Sequence, residues 1–165
     1  VKLHCAHEIP LSADAFWQII HSPEYEARVA EAVGLRAYRE LERREEPEAV
    51  YRRIGVEADL PDALGALVRR VGFDAPAGYV EEQWRSRSRR EVRWRMTPMV
   101  LADRARVEGV VKVEPRGARR FRRVLDGDVR VDVFAVGRLI ERAAIGIVVD
   151  AYAKAAAVAA PPRSP

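Results

Sequence analysis

Apolar and polar residues alternate through the first nine positions, "VKLHCAHEI". Leu3, Cys5, His7 and Ile9 fall on one face and Lys2, His4, Ala6 and Glu8 on the other. Period two marks a strand, and Pro10 ends it. Ser12 then stands as a helix N-cap before "ADAFWQII", with Asp14 in the first turn and Phe16, Ile19 and Ile20 at helical spacing. A second helix starts at once: Ser22 can cap it, Pro23 suits its first position and Gly34 its stop. Alternation returns, loosely, over 35–45 and 49–58, with a turn around Glu46-Pro47.

"LPDALGALVRRVGF" breaks the β pattern. Leu64, Leu67, Val68 and Val71 recur at helical spacing, with Asp62 in the first turn and Gly72 after the last, which predicts a short amphipathic helix inserted between strands over 61–72. The run that follows, "YVEEQWRSRSRREVRWRM", is dense in arginine and poses a choice between a nucleic-acid arm and two strands. Its order favours strands. Val80, Glu82, Trp84 and Ser86 share a face, as do Val92, Trp94 and Met96, while Arg93 and Arg95 point the other way. A turn over 88–90 would set Trp84 opposite Trp94, with the tryptophans inside and most arginines outside. No zinc finger, RNP pattern or basic zipper accompanies the arginines, so nucleic acid is not an expected partner.

"ARVEGVVKVEP" and "ARRFRRVLDGDVRVDVFA" read as two more strands, with Gly127 as an expected bulge or bend. "VGRLIERAAIGIVVDAYAKAAAVAA" reads as a final helix of about 24 residues stopped by Pro161-Pro162. Leu139, Ile140, Ala143, Ile147, Ala151 and Val158 form its main stripe; Ile145, Val148, Val149 and Tyr152 widen it beyond what a simple sheet contact needs.

The 165 residues suit one domain over 1–160, with 161–165 as a disordered tail. The net charge of +4 is mild, and the basic side chains are nearly all arginine. Cys5 is the lone cysteine, which excludes an intrachain disulfide and a thiolate metal cluster. Asp150 and Lys154 interrupt the most apolar stretch, and no signal peptide is read at the start. These features lead us to expect a cytoplasmic protein.

The opening "HEIPLSADAFWQIIHSPEYEARVAEAVG" and the closing "VDVFAVGRLIERAAIGIVVDAYAKAAAVA" resemble the START-like helix-grip (SRPBCC) superfamily over nearly the whole chain. That resemblance implies an α+β fold: one curved antiparallel sheet of about seven strands wrapped around a long C-terminal helix, with a cavity between them. Two details are similar to the lipid-handling PRELI and VASt domains and to a related bacterial group. These are the leucine-proline-led insertion "LPDALGALVRRVG" and the final-helix start "GRLIERAAIGIVVDAY". They imply a lipid-like hydrophobic ligand, held or carried without catalysis.

The residues offer no familiar catalytic constellation. G-x-S-x-G, H-E-x-x-H and phosphate-cradling glycine loops are absent. His4 and His7 point to opposite faces of a strand, so neither a metal nor another cofactor is expected. His21, at a helix end, suits a cation facing the dipole. Cys5 reads as a small hydrophobe, and Glu82 is the acid placed on the Trp84 face. The expected ligand lining is Val56, Trp84, Trp94, Met96, Val111, Val131, Ile140, Ala144, Ile147 and Val148, with Arg52 as an inward cation for an anionic headgroup. Leu64, Leu67 and Val68, flanked by Arg69 and Arg70, suit an entrance lid or a transient membrane-surface contact. Three classes stay open: a hydrophobic-ligand binder, an enzyme of the polyketide cyclase or aromatase kind, and an interaction module with a filled core.

Overall fold

In the computed structural model, residues 1–72 and 78–160 are described; the expected tail, 161–165, lies outside them. Strand β1 (Lys2–Ile9) leads into helices α1 (Ala13–Ile19) and α2 (Pro23–Val33). Strands β2 (Ala37–Glu45) and β3 (Ala49–Glu57) come next, followed by helix α3 (Asp62–Arg70). Then come β4 (Gly78–Ser86), β5 (Glu91–Pro98), β6 (Ala105–Pro115), β7 (Phe121–Val131) and the long helix α4 (Gly137–Ala159). The strands form one antiparallel sheet in the order β1-β7-β6-β5-β4-β3-β2. All four helices belong to its concave side. No helix among the described residues is long and apolar enough to cross a membrane.

Local chemistry explains the helix boundaries. The Ser12 hydroxyl accepts from the Ala15 amide at 3.1 Å, and Ser22 accepts from Tyr25 at 3.2 Å. Each serine thereby satisfies an amide that the first helical turn leaves without a partner. Gly34 ends α2 in the left-handed region (φ 80°), where its N–H reaches the carbonyls of Ala30 and Glu31. A side chain there would strain the stop.

The sheet departs from the sequence reading at one turn. The loop between β4 and β5 has four residues, 87–90, rather than three, so Gln83 faces Trp94 and Trp84 faces Arg93. A one-residue slip reverses a strand's faces. Trp84 therefore lies on the outer surface, against Tyr51 (ring centroids 5.4 Å apart) and beneath the Arg93 guanidinium. Tyr79, Glu81, Gln83 and Arg85 line the concave face in its place.

Gly127 makes no bulge. It pairs directly with Gly109, and a Cβ on Gly109 would collide with the Asp126 carbonyl and the Trp94 ring. The bare backbone lets Trp94 lie across the sheet. The register shift falls instead in β2, between Glu40 and Glu42. The α4 stripe loses two members: Leu139 and Ile147 are exposed, whereas Ile140, Ala143, Ala151 and Val158 pack inward together with Ala144, Val148 and Tyr152.

Three apolar clusters fill the space between sheet and helices. One joins Ile9, Phe16, Tyr25, Val113 and Phe121 to the end of α4. A second, under the middle of α4, gathers Leu3, Val92, Trp94, Val107, Val111, Leu125 and Val129. The third joins α3 to the start of α4 through Leu64, Val68, Val100, Leu101 and Ile140.

Candidate functional site

Where α2, the end of α1 and the second half of α4 span the sheet, they leave a cavity of about 190 Å³. Its floor is Tyr38, Tyr79, Glu81, Gln83, Val92, Trp94 and Val111. Its roof is Tyr25, Glu26, Val29, Ala30 and Val33 of α2 together with Ala151, Tyr152 and Ala155 of α4, and Phe16, Ile20, His21, Leu35 and Arg123 complete the wall. The lining is predominantly apolar and rich in aromatic rings, with a few polar groups turned inward, which is the usual composition of a small-molecule site.

One side of the cavity is fastened by charge. Arg52, 2% exposed, donates from Nη1 and Nη2 to the two Glu26 oxygens at 2.6 and 3.0 Å, and from Nε to Glu40 at 2.5 Å. Tyr38 donates its hydroxyl to Glu26 at 3.1 Å. Burial works against the Arg52 charge, but its hydrogen bonds and charge interactions with Glu26, the hydrogen bond to Glu40 and the Tyr38 oxygen raise its pKa. Arg52 points inward as the strand parity predicts, yet two carboxylates already occupy its donors. It ties α2 to β2 and β3.

The remaining polar groups are not so well served. Among the described residues, the buried side-chain polar atoms without a hydrogen-bond partner are His21 Nδ1, Gln83 Oε1, Trp94 Nε1 and Arg123 Nε. All four belong to the wall of this cavity. Buried polar atoms are normally paired, so four at one place single it out. Glu81 accepts from Gln83 Nε2 at 2.8 Å. Burial nevertheless pushes its carboxyl above the usual range; Glu26 adds to the shift, and Gln83 and Arg52 oppose it. Burial also raises the Tyr79 and Tyr152 phenols, with Glu81 adding to both.

His21 is not the cation expected at a helix end. Burial first, then Arg52, Arg85 and Arg43, push its pKa down to about 3. The other histidines divide as the strand pattern predicts. His4 faces outward, with Nδ1 2.6 Å from Asp126 Oδ1, while His7 faces inward and is held lower by burial and Arg123. Cys5 is half-buried, and burial raises its thiol pKa against the opposing charge of Arg123. No cluster of His, Cys, Asp or Glu among the described residues could hold a metal.

Of the predicted ligand contacts, Trp94 and Val111 line the cavity. Val56 is buried in β3 beside it, opposite Tyr79, and Met96, Ala144 and Val148 pack into the central cluster. Val131, Ile140, Leu64, Leu67 and Val68 assemble at the other end, where α3 packs against the start of α4. Ile147 is 36% exposed. Trp84 lies over an outer depression with Arg93, Arg95 and Glu108. The sequence reading missed Glu81, Gln83 and Tyr79 because the β4 parity was reversed. It names no α2 side chain, because the only candidates it offers for the cavity's entrance lie on α3. Glu82, on the Trp84 face, receives the Tyr51 hydroxyl at 2.9 Å on the outer side.

Residues 4–161 match the family described as "Protein of unknown function (DUF2505)". The chain belongs to the DUF2505 family. No curated protein matches it by sequence. In three dimensions this DUF2505 chain is similar to a protein from Thermus thermophilus, with a TM-score of 0.69, 13% identity and 96% and 97% of the two chains covered. It is similar to the Zhui aromatase/cyclase from a Streptomyces species, with a TM-score of 0.70, 11% identity and coverage of 96% and 90%. A START superfamily protein from Mycobacterium smegmatis matches with a TM-score of 0.58, 16% identity and coverage of 93% and 92%. At such identities the likeness establishes the START-type helix-grip fold for DUF2505 and nothing about its chemistry.

Proposed function

We propose that the protein binds a compact hydrophobic small molecule, bearing at least one polar group, in the cavity beneath α2 and α4. The observation that carries this reading is the convergence of four unpartnered buried polar atoms on one aromatic-walled cavity. A filled-core interaction module has no use for that arrangement. The volume of about 190 Å³ is below the roughly 300–1,000 Å³ of sites for drug-sized ligands. It favours a ring-sized or short single-chain molecule within the lipid-like class that the PRELI and VASt resemblance implies.

The test is mass spectrometry of organic extracts from the purified protein, beside an Ala30→Phe variant. Ala30 lies on the α2 roof, so a phenyl ring there fills the cavity without altering its polar groups. A compound present in stoichiometric yield with the wild type and lost from the variant supports the reading. The variant should also melt higher, because filling a void adds about 0.5–2 kcal/mol of stability. An extract that is the same for both proteins contradicts the proposal.

A second reading, a ring-closing or proton-transferring enzyme, has one observation in its favour. Glu81 is an acid at the cavity floor whose raised pKa suits a proton donor. Glu81→Gln separates the two. A binder retains the same compound in both proteins, whereas an enzyme trapped before its step retains a substrate of different mass in the variant.

A further inference from the structure

Arg123, on β7, carries a charge that no carboxylate among the described residues answers. It is 5% exposed, and no carboxylate among the described residues lies within salt-bridge distance. Its Nη2 donates to the Tyr152 carbonyl, its guanidinium stacks 4.8 Å from the centre of the Tyr152 ring, and its Nε has no partner. A backbone carbonyl and an aromatic face orient a guanidinium without neutralising it. A buried cation in that state is costly unless an anion joins it.

The titratable groups around it, among the described residues, supply no anion. Cys5 and His7 of β1, Tyr25 of α2 and Tyr152 of α4 face Arg123. Burial raises the thiol and both phenols and lowers the imidazole, so each is held toward its neutral form. Glu26, the acid on the roof, is committed to Arg52, and Glu81 is pushed toward its protonated form. Arg52, by contrast, shows how this chain treats a buried arginine whose task is structural: it is given two carboxylates.

We propose that the ligand of this cavity is a carboxylate on a compact apolar body, with Arg123 as its counter-ion and Trp94 Nε1–H and Gln83 Oε1 as partners for further polar atoms. The inference rests on the binding function proposed above and names its ligand class. The body could be an aromatic ring or a short acyl chain; the carboxylate is common to both.

The experiment is isothermal titration calorimetry at neutral pH with two acid–amide pairs of matched shape, 2-naphthoate with 2-naphthamide and octanoate with octanamide. The acid of at least one pair should bind about tenfold or more tighter than its amide, as expected for a charge-assisted hydrogen bond made away from water. The pair that binds tighter identifies a ring or a chain as the body. Arg123→Met should abolish the acid preference while leaving the amide affinity, and Arg106→Gln, at an exposed arginine of β6, should leave both unchanged. If Arg123→Met does not fold, Trp94→Phe removes a cavity donor and keeps the ring, and the wild-type comparison needs no variant. Acid and amide bound equally well would overturn the carboxylate assignment while leaving a neutral ligand site intact. Absence of binding by all four probes would contradict both the assignment and the site.

Discussion

Glu81 concentrates the chemistry of the concave face at a single residue. Its pKa is raised by burial, so the folded state holds the proton more firmly than the unfolded chain does. The contribution is fully present below the ordinary carboxylate pKa and is lost as pH rises through the elevated one. Glu81→Gln, which keeps the shape and removes the titration, should gain stability relative to the wild type as pH increases. Thermal melts of both proteins at pH 4.5 and pH 8 measure this; a constant difference would show that Glu81 titrates normally. The sequence does contain the clue, an acid at 81 on the Tyr79 and Gln83 parity. Only the turn length decides that this parity faces inward, and a turn without Gly or Asn does not declare its length. Arg52 was legible as inward-facing from its neighbours in β3, but its carboxylates come from α2 and β2, distant in sequence.

At the scale of the element, the clearest signals were local. Ser12, Ser22, Pro23 and Gly34 marked α1 and α2, because capping is decided within four residues of chain. The amphipathic stripe likewise announced α3, but it could not say what the stripe would meet. Leu64 and Val68 pack on Val100, Leu101 and Ile140, and no α3 residue borders the cavity among the described residues. Leu64→Ala should therefore destabilise the fold by about 2–5 kcal/mol through the void it leaves. Ligand affinity should change by less than about twofold, since sites that share no contacts act independently. Urea denaturation and calorimetry on the same preparation check both halves. A large loss of affinity with little loss of stability would return α3 to the role of a lid.

For the whole molecule, the fold was legible through the family resemblance that the opening and closing segments carry, and the order of periods along the chain agrees with it. One strand, two helices, alternating segments broken by an insertion and a long final helix are the elements that the structure assembles into a sheet with that helix packed against it. The cavity was harder to locate because it depends on which helices the sheet's curvature leaves unsupported. Leu139 and Ile147 share helical spacing with the buried positions of α4 yet are exposed, because the helix meets the sheet through Ile140, Ala144, Val148 and Tyr152. That facing sets Tyr152 against Arg123 at the edge of the space under α2. The central claim is that this space receives a ligand, and amide NMR during titration with the neutral probe 2-naphthol tests it most directly. The account predicts saturable shifts confined to the end of α1, to α2, to Tyr38 of β2, to Tyr79–Gln83 of β4, to β5 and β6 around Trp94 and Val111, to Arg123 of β7 and to Ala151–Ala155 of α4. Shifts centred on α3, or none that saturate, would contradict it.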